Sequence, residues 1–332
     1  MTAMVIFVGV HLVFSGGLSA GILVGFNMLA GRVSRPIIDL VTLKTEISKL
    51  VQSLQIVSGI VDANSETTVR GQKPQLMGQV NFKNVEFGYD DETKILKNVE
   101  LEINPRQIVG ITGKSGCGKS TMAKLIQGLY RPQSGIVALD NTDLRLLDLS
   151  HIRSQVSLVS AESYFFPGTI RENISRPMPN SSMDRITWAT KKVFAHEEIE
   201  SFPDAYETFL EENASNISTG LRQKFAIARA LIRNPRILIL DDAISGFDID
   251  SEIKLYDALP DIALGRTVII VSNRLYHLRL CNKIFVLDDG KIKQEGSFES
   301  LKQLPGFFSE TFYKQTSILG LSQQKKSIKK AG

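Results

Sequence analysis

Two apolar stretches open the chain and predict membrane helices. Residues 1–14 form the first, Ser15-Gly16-Gly17 signals a turn, and the second runs from Leu18 to about Leu43. A bilayer core of ~30 Å requires about 20 helical residues, so the first stretch is short and the second is long enough to cross. A secretory signal peptide is the competing interpretation, but the chain lacks a positively charged start and stays apolar after the cleavage-like Leu18-Ser19-Ala20. We therefore expect one or two transmembrane helices in a partial membrane domain over residues 1–43.

A helical stripe and a polar linker follow. Apolar residues recur at steps of three and four, as on one face of an α-helix. They are Leu43, Ile47, Leu50, Leu54, Val57 and Val61. The polar stretch from Asp62 to Pro74 contains Gly71 and indicates a linker. We therefore expect a connecting helix and linker over residues 44–75.

From residue 76 onward the pattern is that of a mixed α/β domain. Val80/Phe82 and Val85/Phe87/Tyr89 alternate as half-buried strands do. Four later apolar runs fit strands that are buried on both faces of a covered sheet. They are Ile108–Ile111, Ile237–Leu240, Val268–Val271 and Ile284–Leu287, with helical patterns between them. The sequence thus predicts a three-layer α/β domain over residues 76–316 and a basic tail over residues 317–332.

Basic residues give the membrane segment a direction. No Asp, Glu, Lys or Arg occurs in residues 1–31, whereas Arg32, Arg35, Lys44 and Lys49 follow the second apolar stretch. By the positive-inside rule, the rest of the chain lies on the cytoplasmic side. We expect a multi-pass or partially inserted protein of the inner (plasma) membrane, with its large domain facing the cytoplasm.

The remaining charge and the cysteines change this picture little. The formal net charge is +4, and four lysines fall in the last eight residues: Lys325, Lys326, Lys329 and Lys330. Such a tail could contact anionic lipid, or it could simply be solvated. The two cysteines, Cys117 and Cys281, give no disulfide framework, which favours a reducing compartment. We expect no nucleic-acid partner.

The most informative motif follows the first buried run. Gly113-Lys114-Ser115-Gly116-Cys117-Gly118-Lys119-Ser120-Thr121 fits the phosphate-loop pattern, between a predicted strand and a predicted helix. Glycines let backbone N–H groups close around phosphate oxygens, and the helix N-terminus adds its dipole. We expect Lys119 to reach the β- and γ-phosphates and the Ser120 hydroxyl to ligate Mg²⁺. The motif predicts nucleotide binding.

A second element completes this kind of site. The apolar run Ile237–Leu240 ends at Asp241. A carboxylate at the end of a buried strand would lie near the metal ion and its bound water. Together the two elements predict a P-loop NTPase with Ser120 and Asp241 as metal ligands.

In the order of its segments, the chain resembles one half of an ABC (ATP-binding cassette) exporter. Ser218-Thr219-Gly220-Leu221-Arg222-Gln223 occupies the place of the signature helix, and Ser245-Gly246-Phe247-Asp248 resembles the D-loop. Gly265-Arg266-Thr267 precedes the strand that leads to the switch position, Asn273. Tyr89 stands where the family stacks an aromatic ring on adenine, although an ordinary strand aromatic is the alternative.

The resemblance implies a fold and a set of ligands. The fold is a P-loop NTPase cassette with an antiparallel β subdomain and a helical subdomain. ATP and Mg²⁺ are the implied ligands, and the implied nucleotide contacts come from Tyr89, residues 113–121, Ser218 and Gly220.

The N-terminal stretch resembles a narrower group. Phe26-Asn27-Met28-Leu29-Ala30-Gly31 and Pro36-Ile37 look like the last membrane helices of hemolysin-type (type I secretion) exporters. An exporter half normally has six membrane helices, and only the end of the fifth and the sixth are recognisable here. The resemblance therefore implies a fragment, or a subunit that uses transmembrane helices from another chain.

Four family positions are altered. Ala161 replaces the Q-loop glutamine, Asp242 the catalytic glutamate and Asn273 the switch histidine, and the signature reads Ile217-Ser218-Thr219-Gly220-Leu221. Asp242 retracts its carboxylate by roughly 1 Å, and a misplacement of that size can cost about 10²-fold in rate. Asn273 cannot carry imidazolium charge to the transition state.

The consequences for binding and for chemistry differ. Every phosphate-loop position is kept, so we expect a good ATP binder with weak hydrolysis. The candidate catalytic residues are Asp242, Asn273 and Glu162, the last of which would replace the missing glutamine if its loop shifts by one residue. Efficient hydrolysis is the alternative, because a relocated carboxylate could restore a general base.

Partners follow from the family's architecture. Two cassettes sandwich two ATP molecules, and each site combines the phosphate loop of one chain with the signature of the other. A homodimer would be weakened on both sides of each site, so we favour a heterodimer with an intact cassette. The leading hypothesis is an ATP-binding subunit of a type I secretion-like exporter that powers export of a protein or peptide. A regulatory nucleotide-binding partner and a non-functional exporter remnant are the alternatives.

Overall fold

The computed structural model describes residues 2–61, 71–90 and 92–318. The chain divides into two units, residues 1–67 and residues 68–332. Residues 62–70 of the predicted linker and residues 319–332 of the predicted basic tail, with its four lysines, lie outside the described residues.

The first unit contains two helices. Helix α1 spans Thr2–Phe14 and helix α2 spans Ala20–Val61. They approach closely at Gly9, where a Cβ atom would lie 2.0 Å from the Cδ1 atom of Leu23. Large apolar side chains remain exposed on both helices, among them Phe7, at 79%, and Met28, at 69%.

Helix α2 joins two segments that the sequence pattern separates. It continues without interruption past residue 43, so the second apolar stretch and the predicted connecting helix are one element. Pro36 lies inside it. Of the helices in the described part of the chain, none combines the length and the apolarity needed to cross a membrane. The predicted transmembrane helices are therefore not confirmed.

Three sheets form the framework of the described part of the second unit. The strands are β1 (Val80–Phe87), β2 (Leu96–Ile103), β3 (Ile108–Gly113), β4 (Ser134–Leu139), β5 (Thr142–Asp143), β6 (Val156–Ser160), β7 (Gly168–Thr169), β8 (Phe209–Leu210), β9 (Ile237–Asp241), β10 (Thr267–Val271), β11 (Lys283–Asp288) and β12 (Lys291–Gly296). The helices are α3 (Lys119–Ile126), α4 (Leu149–Gln155), α5 (Ile170–Ser175), α6 (Met183–Lys192), α7 (His196–Glu200), α8 (Thr219–Leu231), α9 (Ile249–Ile262), α10 (Phe298–Gln303) and α11 (Phe307–Ile318).

The largest sheet has the strand order β12-β11-β3-β10-β9-β6. Its first strand is an antiparallel edge, and the other five are parallel. Strands β3, β9 and β10 are buried along their whole length, as expected where both faces of a parallel sheet are covered. The four apolar runs predicted as buried strands correspond to β3, β9, β10 and β11.

Side chains of the large sheet point alternately into two hydrophobic clusters. On β9, Leu238 and Leu240 belong to the cluster that includes Phe225 of α8. Ile237 and Ile239 belong to the cluster that includes the strands of the second sheet. This alternation follows from the two-residue period of a strand, and it gives the predicted three-layer arrangement.

The two predicted subdomains are present on these opposite sides. The second sheet is antiparallel with the order β2-β1-β4-β5. It contains Val80–Phe87 as one strand, with Tyr89 just beyond its end. Helices α5, α6 and α8 pack together as the helical subdomain. The chain therefore has the mixed α/β cassette fold that the sequence predicts.

Candidate functional site

The carboxyl ends of four parallel strands meet at one edge of the large sheet. Asp241 at the end of β9 is in register with Val271 of β10 and Ser160 of β6, and Val271 is in register with Ile111 of β3. This edge brings together the segments that follow the strands, namely residues 113–119, Asp242, Asn273 and Ala161. Open parallel sheets bind their ligands at such edges.

The phosphate loop wraps the N-terminus of helix α3. Gly116 and Gly118 have φ angles of +77° and +107°, a region that favours glycine and lets successive N–H groups line one concavity. Gly118 is the N-cap residue of α3, and no side chain of the described residues accepts a hydrogen bond from the N–H groups of the first turn as a cap. The first N–H groups of α3 are thus left for an anion.

Exposure divides the loop residues into two sets. Lys114, Ser115, Gly116 and Ser120 are exposed, whereas Gly113, Cys117, Gly118, Lys119 and Thr121 are buried. Gly113 leaves no room for a side chain, since a Cβ atom there would lie 1.9 Å from the carbonyl oxygen of Leu287. The loop therefore presents its exposed backbone outward while its ends are fixed in the core.

Lys119 is placed as the main cation of the loop. Its side chain is buried, and its Nζ atom donates to the carbonyl oxygens of Gly113, at 3.0 Å, and Lys114, at 2.8 Å. The ammonium group of Lys114, by contrast, forms an ion pair with Asp288 at 3.2 Å. Because these two partners are neutral carbonyls, a phosphate group could take their place and form strong charge-assisted hydrogen bonds with the ammonium group.

The two predicted metal ligands lie next to each other. The Ser120 hydroxyl lies close enough to the buried carboxyl of Asp241 to influence its ionisation. Burial raises the pKa of Asp241 above its usual range, Asp242 acts in the same direction, and Ser120 and Lys119 oppose the shift. A bound cation would stabilise the ionised carboxylate here. A hydroxyl and one carboxylate fit Mg²⁺, which binds through few protein groups together with phosphate oxygens and water.

Asp242 and Asn273 follow neighbouring strands at the same edge. Asp242 has a φ of +47°, and its N–H donates to the carbonyl oxygen of Val271 at 3.0 Å. The Asn273 side chain is exposed, and its backbone carbonyl accepts a hydrogen bond from Nε2 of Gln315 at 2.8 Å. Both residues therefore follow strands that end at the sheet edge where the predicted metal ligand Asp241 lies.

Tyr89 lies beside the phosphate-loop helix. Its hydroxyl is 3.3 Å from Oγ1 of Thr121 and accepts from Nζ of Lys124 at 3.4 Å. Its ring meets those of Phe87 and Tyr130 edge-on, with centroids 5.2 and 5.1 Å away, and 49% of the residue is exposed. A ring anchored at its edges and open on one side fits a stacking role.

The signature segment is built differently. Ser218 caps helix α8 by accepting from the N–H of Leu221 at 3.2 Å. Gly220 faces the D-loop, because a Cβ atom there would lie 3.0 Å from the carbonyl oxygen of Gly246. Across residues 71–90 and 92–318, no hydrogen bond joins Ser218 or Gly220 to the phosphate loop. Ser218 and Gly220 thus make their contacts within α8 and with the D-loop.

Glu162 is exposed beyond the end of β6. Its backbone carbonyl accepts from the Ser160 hydroxyl at 3.2 Å. Its neighbour Ala161 presents a carbonyl oxygen that accepts from Nε2 of Gln223 at 3.3 Å. The backbone carbonyl of the altered Q-loop position is thus hydrogen-bonded to a side chain of the signature helix.

Gln223, the last residue of the signature segment, makes contacts that the sequence pattern does not predict. Besides its bond to Ala161, its Nε2 lies 3.2 Å from Oγ of Ser245, and its Oε1 accepts from the N–H of Gly246 at 2.9 Å. The residue is 3% exposed. It therefore joins the Q-loop position, the signature helix and the D-loop. Its signal in the sequence is a polar residue among the apolar positions of the buried face of α8.

Comparison with known proteins gives consistent results. Residues 96–245 match the protein family described as ABC transporter. The chain is 39% identical over 307 residues to the leukotoxin translocation ATP-binding protein of Mannheimia glucosida, with 91% of this chain and 43% of that protein covered. It is 38% identical to the leukotoxin export ATP-binding protein of Aggregatibacter actinomycetemcomitans, with 92% and 43% covered. The chain thus spans less than half the length of these curated relatives.

A solved structure is similar as well. A bacterial Atm1-family ABC exporter with ATP bound superimposes with a TM-score of 0.76 at 29% sequence identity, over 90% of this chain and 53% of that one. Together with the phosphate loop and its neighbours, these matches show that the chain carries the ATP-binding domain of an ABC transporter, a family of ATPases, and is homologous to the leukotoxin exporters of type I secretion.

Proposed function

We propose that the chain is the ATP-binding subunit of an ABC exporter and binds Mg-ATP to power export of a protein or peptide. The observation that carries this proposal is the joint placement of buried Lys119, the open N-terminus of α3 and the Ser120–Asp241 pair. The first two provide positive potential for phosphate groups, and the pair provides oxygen ligands for Mg²⁺.

Each group has a defined role in binding. Lys119 releases its carbonyl partners and donates to the β- and γ-phosphate oxygens. The Tyr89 ring stacks on adenine. The hydrogen bond between its hydroxyl and Thr121 orients the ring beside the phosphate loop. Ser120 and Asp241 hold Mg²⁺, which when bound neutralises phosphate charge.

Hydrolysis is proposed to be weak. Asp242 directly follows Asp241 and is the candidate general base or water-orienting group. Its side chain is shorter than the glutamate that the family has at this position. Position 161 offers only a methyl group and a carbonyl that is already bonded to Gln223. Glu162 and Asn273 remain the other candidates for orienting water.

The proposed assembly follows the composite site of the family. Ser218 caps helix α8 and Gly220 lies against the D-loop, and we propose that both meet the nucleotide of a partner cassette. We favour a heterodimer with an intact cassette and transmembrane helices from another chain. The exposed apolar residues of α1 and α2 support association with the inner membrane, with the cassette facing the cytoplasm.

The altered positions favour one alternative. By the family resemblance, Asp242, Asn273, Ala161 and the signature residue Leu221 stand at the positions that would act on water or on the partner's nucleotide. A regulatory partner that binds ATP without coupled turnover would require only the phosphate loop. A steady-state ATPase assay separates this alternative, and that of a non-functional exporter remnant, from the main proposal.

The binding proposal is tested with Lys119→Ala. Hydrogen bonds to charged groups contribute about 1.5–3 kcal/mol, so ATP affinity should fall roughly 10- to 100-fold. Titration with a fluorescent ATP analogue measures it. Lys97→Ala is the matched control, since that ammonium pairs with Asp289 at the surface, at 2.6 Å, and affinity should not change. Equal affinity in wild type and Lys119→Ala would refute nucleotide binding by this loop.

A further inference from the structure

The backbone of the switch position is held by a side chain from the C-terminal helix. Gln315 of α11 donates from Nε2 to the carbonyl oxygen of Asn273, at 2.8 Å. The same amide accepts, through Oε1, from the N–H of Leu275 at 3.0 Å. One side chain thus makes two opposite hydrogen bonds to backbone groups on either side of Arg274.

Helix α11 is itself anchored in the core. Phe308 is fully buried and its ring packs edge-on against Phe298 of α10, with centroids 5.5 Å apart. Phe312 packs against the same ring at 5.6 Å. Gln315 therefore projects from an element whose position is fixed by aromatic packing.

The rest of the switch segment, residues 272–275, is held from the sheet side. The N–H of Ser272 donates to the carbonyl oxygen of Ile111 in β3, at 3.1 Å. Its hydroxyl is 3.1 Å from Nδ1 of buried His277 and accepts from the N–H of Arg274, at 3.1 Å. The sheet fixes where the segment begins, and Gln315 fixes the carbonyl of Asn273 and the amide of Leu275 after it.

We propose that Gln315 is a positioning residue for the switch position, so that the C-terminal helix sets where the Asn273 side chain stands at the nucleotide site. This inference rests on the proposed function. A side chain that acts on the γ-phosphate requires a fixed backbone, because a displacement of about 1 Å can change a rate roughly 100-fold. Asn273 is exposed, so packing around its own side chain does not supply that constraint. The two bonds from Gln315 do.

Hydrogen–deuterium exchange tests the contact directly. Gln315→Met keeps the side-chain length and removes both hydrogen bonds. In the full chain, exchange at the Leu275 amide should become roughly five- to ten-fold faster, as expected for loss of one ordinary hydrogen bond. Gln303→Met is the matched control, since Gln303 is exposed on α10, and exchange in the segment 272–278 should stay unchanged.

Turnover separates positioning from mere packing. Gln315→Met should lower kcat about three- to ten-fold, while the affinity for the fluorescent ATP analogue stays that of the wild type. Gln315→Glu keeps the acceptor for Leu275 but places a carboxylate against the Asn273 carbonyl. Its kcat relative to Gln315→Met should therefore rise as the pH falls and the carboxyl gains a proton to donate. A role in helix packing alone would give no such pH dependence.

Each result bears on one proposal. Unchanged exchange at Leu275 in Gln315→Met overturns the inference, and so does faster exchange with unchanged kcat. If the wild type has no measurable turnover, kcat is compared in chains that also carry Asp242→Glu. If these chains have no turnover either, the proposal that Gln315 positions Asn273 for catalysis is rejected. Failure of the proposed function is seen separately, as unchanged ATP affinity in Lys119→Ala.

Discussion

Single residues at this site fall into two groups with different constraints. Lys119 and Gly113 are buried and allow little change, since one has carbonyl partners and the other has no space for a Cβ atom. Asp242 lies on a left-handed backbone with a φ of +47°. That conformation costs roughly 1–2 kcal/mol for most residues and is best tolerated by Gly, Asn and Asp. Aspartate therefore suits the backbone at 242, even though a longer carboxylate would suit the chemistry of the family.

Restoring the water-activating groups should restore turnover. In the triple variant Asp242→Glu, Asn273→His and Ala161→Gln, a carboxylate extends towards the attacking water, and the other two groups regain contacts with phosphate and metal. A positioned general base contributes about 10²–10⁴-fold, so a clear gain in steady-state ATPase rate is expected. The left-handed backbone predicts a concurrent loss of up to about 1 kcal/mol in unfolding free energy.

Two controls define this experiment. Adding Lys119→Ala to the triple variant should remove most of the gain at ATP concentrations below saturation, because ATP then binds roughly 10- to 100-fold more weakly. Asp242→Asn keeps the shape without a basic group, and it should give no gain. An unchanged rate in the triple variant, with ATP still bound, would place the defect outside these three positions.

At the scale of elements, the sequence predicts most of the sheet edge and little of what holds it. The phosphate loop and the strand ending at Asp241 are local patterns, because glycine spacing and a buried apolar run are visible within ten residues. The contacts of Gln223, His277 and Gln315 join segments distant in sequence, and periodicity carries no signal for such partners. Helix α2 is a further case in which the sequence pattern is less informative than the structure. The pattern changes near residue 43 from an apolar stretch to a helical stripe, and the structure has one continuous helix from Ala20 to Val61.

A buried histidine connects helix α9 with the end of β10. Nε2 of His277 lies 2.6 Å from Oε1 of Glu252, and Nδ1 faces the Ser272 hydroxyl. Because a carboxylate only accepts, Nε2 carries the proton and Nδ1 accepts from Ser272. Burial lowers the pKa of His277 below the usual 6.5, Glu252 opposes this shift, Arg274 adds to it, and Asp242 also raises the pKa.

This histidine should make the cassette less stable in acid. The unfolded chain binds a proton at His277 more readily than the folded chain does, so the free energy of unfolding falls as the pH drops below about 6.5. His277→Gln can still donate to Glu252 and does not titrate. Urea unfolding at about pH 7.5 and about pH 5.5 should therefore show a smaller loss in the variant. Glu252→Gln should show a larger loss of unfolding free energy between the two pH values, since it removes a charge that raises the pKa of His277. Equal losses in all three proteins would contradict this account.

The whole molecule combines a two-helix unit with a cassette, and we propose that the nucleotide site of this cassette is completed by a second cassette. Within one chain, the phosphate loop, Asp241 and Asn273 share one sheet edge, while Ser218 and Gly220 lie on α8 against the D-loop. The chain also covers only 43% of its curated relatives. In the proposed assembly, turnover therefore depends on the signature segment that the second cassette supplies.

Pairing with an intact cassette should raise turnover above that of the chain alone. In a mixed dimer, the phosphate loop of this chain meets an intact signature, whereas in a homodimer it meets the segment 217–221, with Leu221 at the position of the family's glutamine. The test mixes the triple variant with the ATP-binding domain of a leukotoxin export ATP-binding protein. That partner carries an alanine at its own phosphate-loop lysine, so any turnover arises at the phosphate loop of this chain. Steady-state ATPase activity per phosphate loop should exceed that of the triple variant alone.

Adding Lys119→Ala to this chain should return the mixture to background, which excludes residual activity of the partner. If the mixture is no more active than the triple variant alone while the two proteins still associate in sedimentation with ATP, the altered signature does not limit the homodimer, and the preference for a heterodimer is wrong.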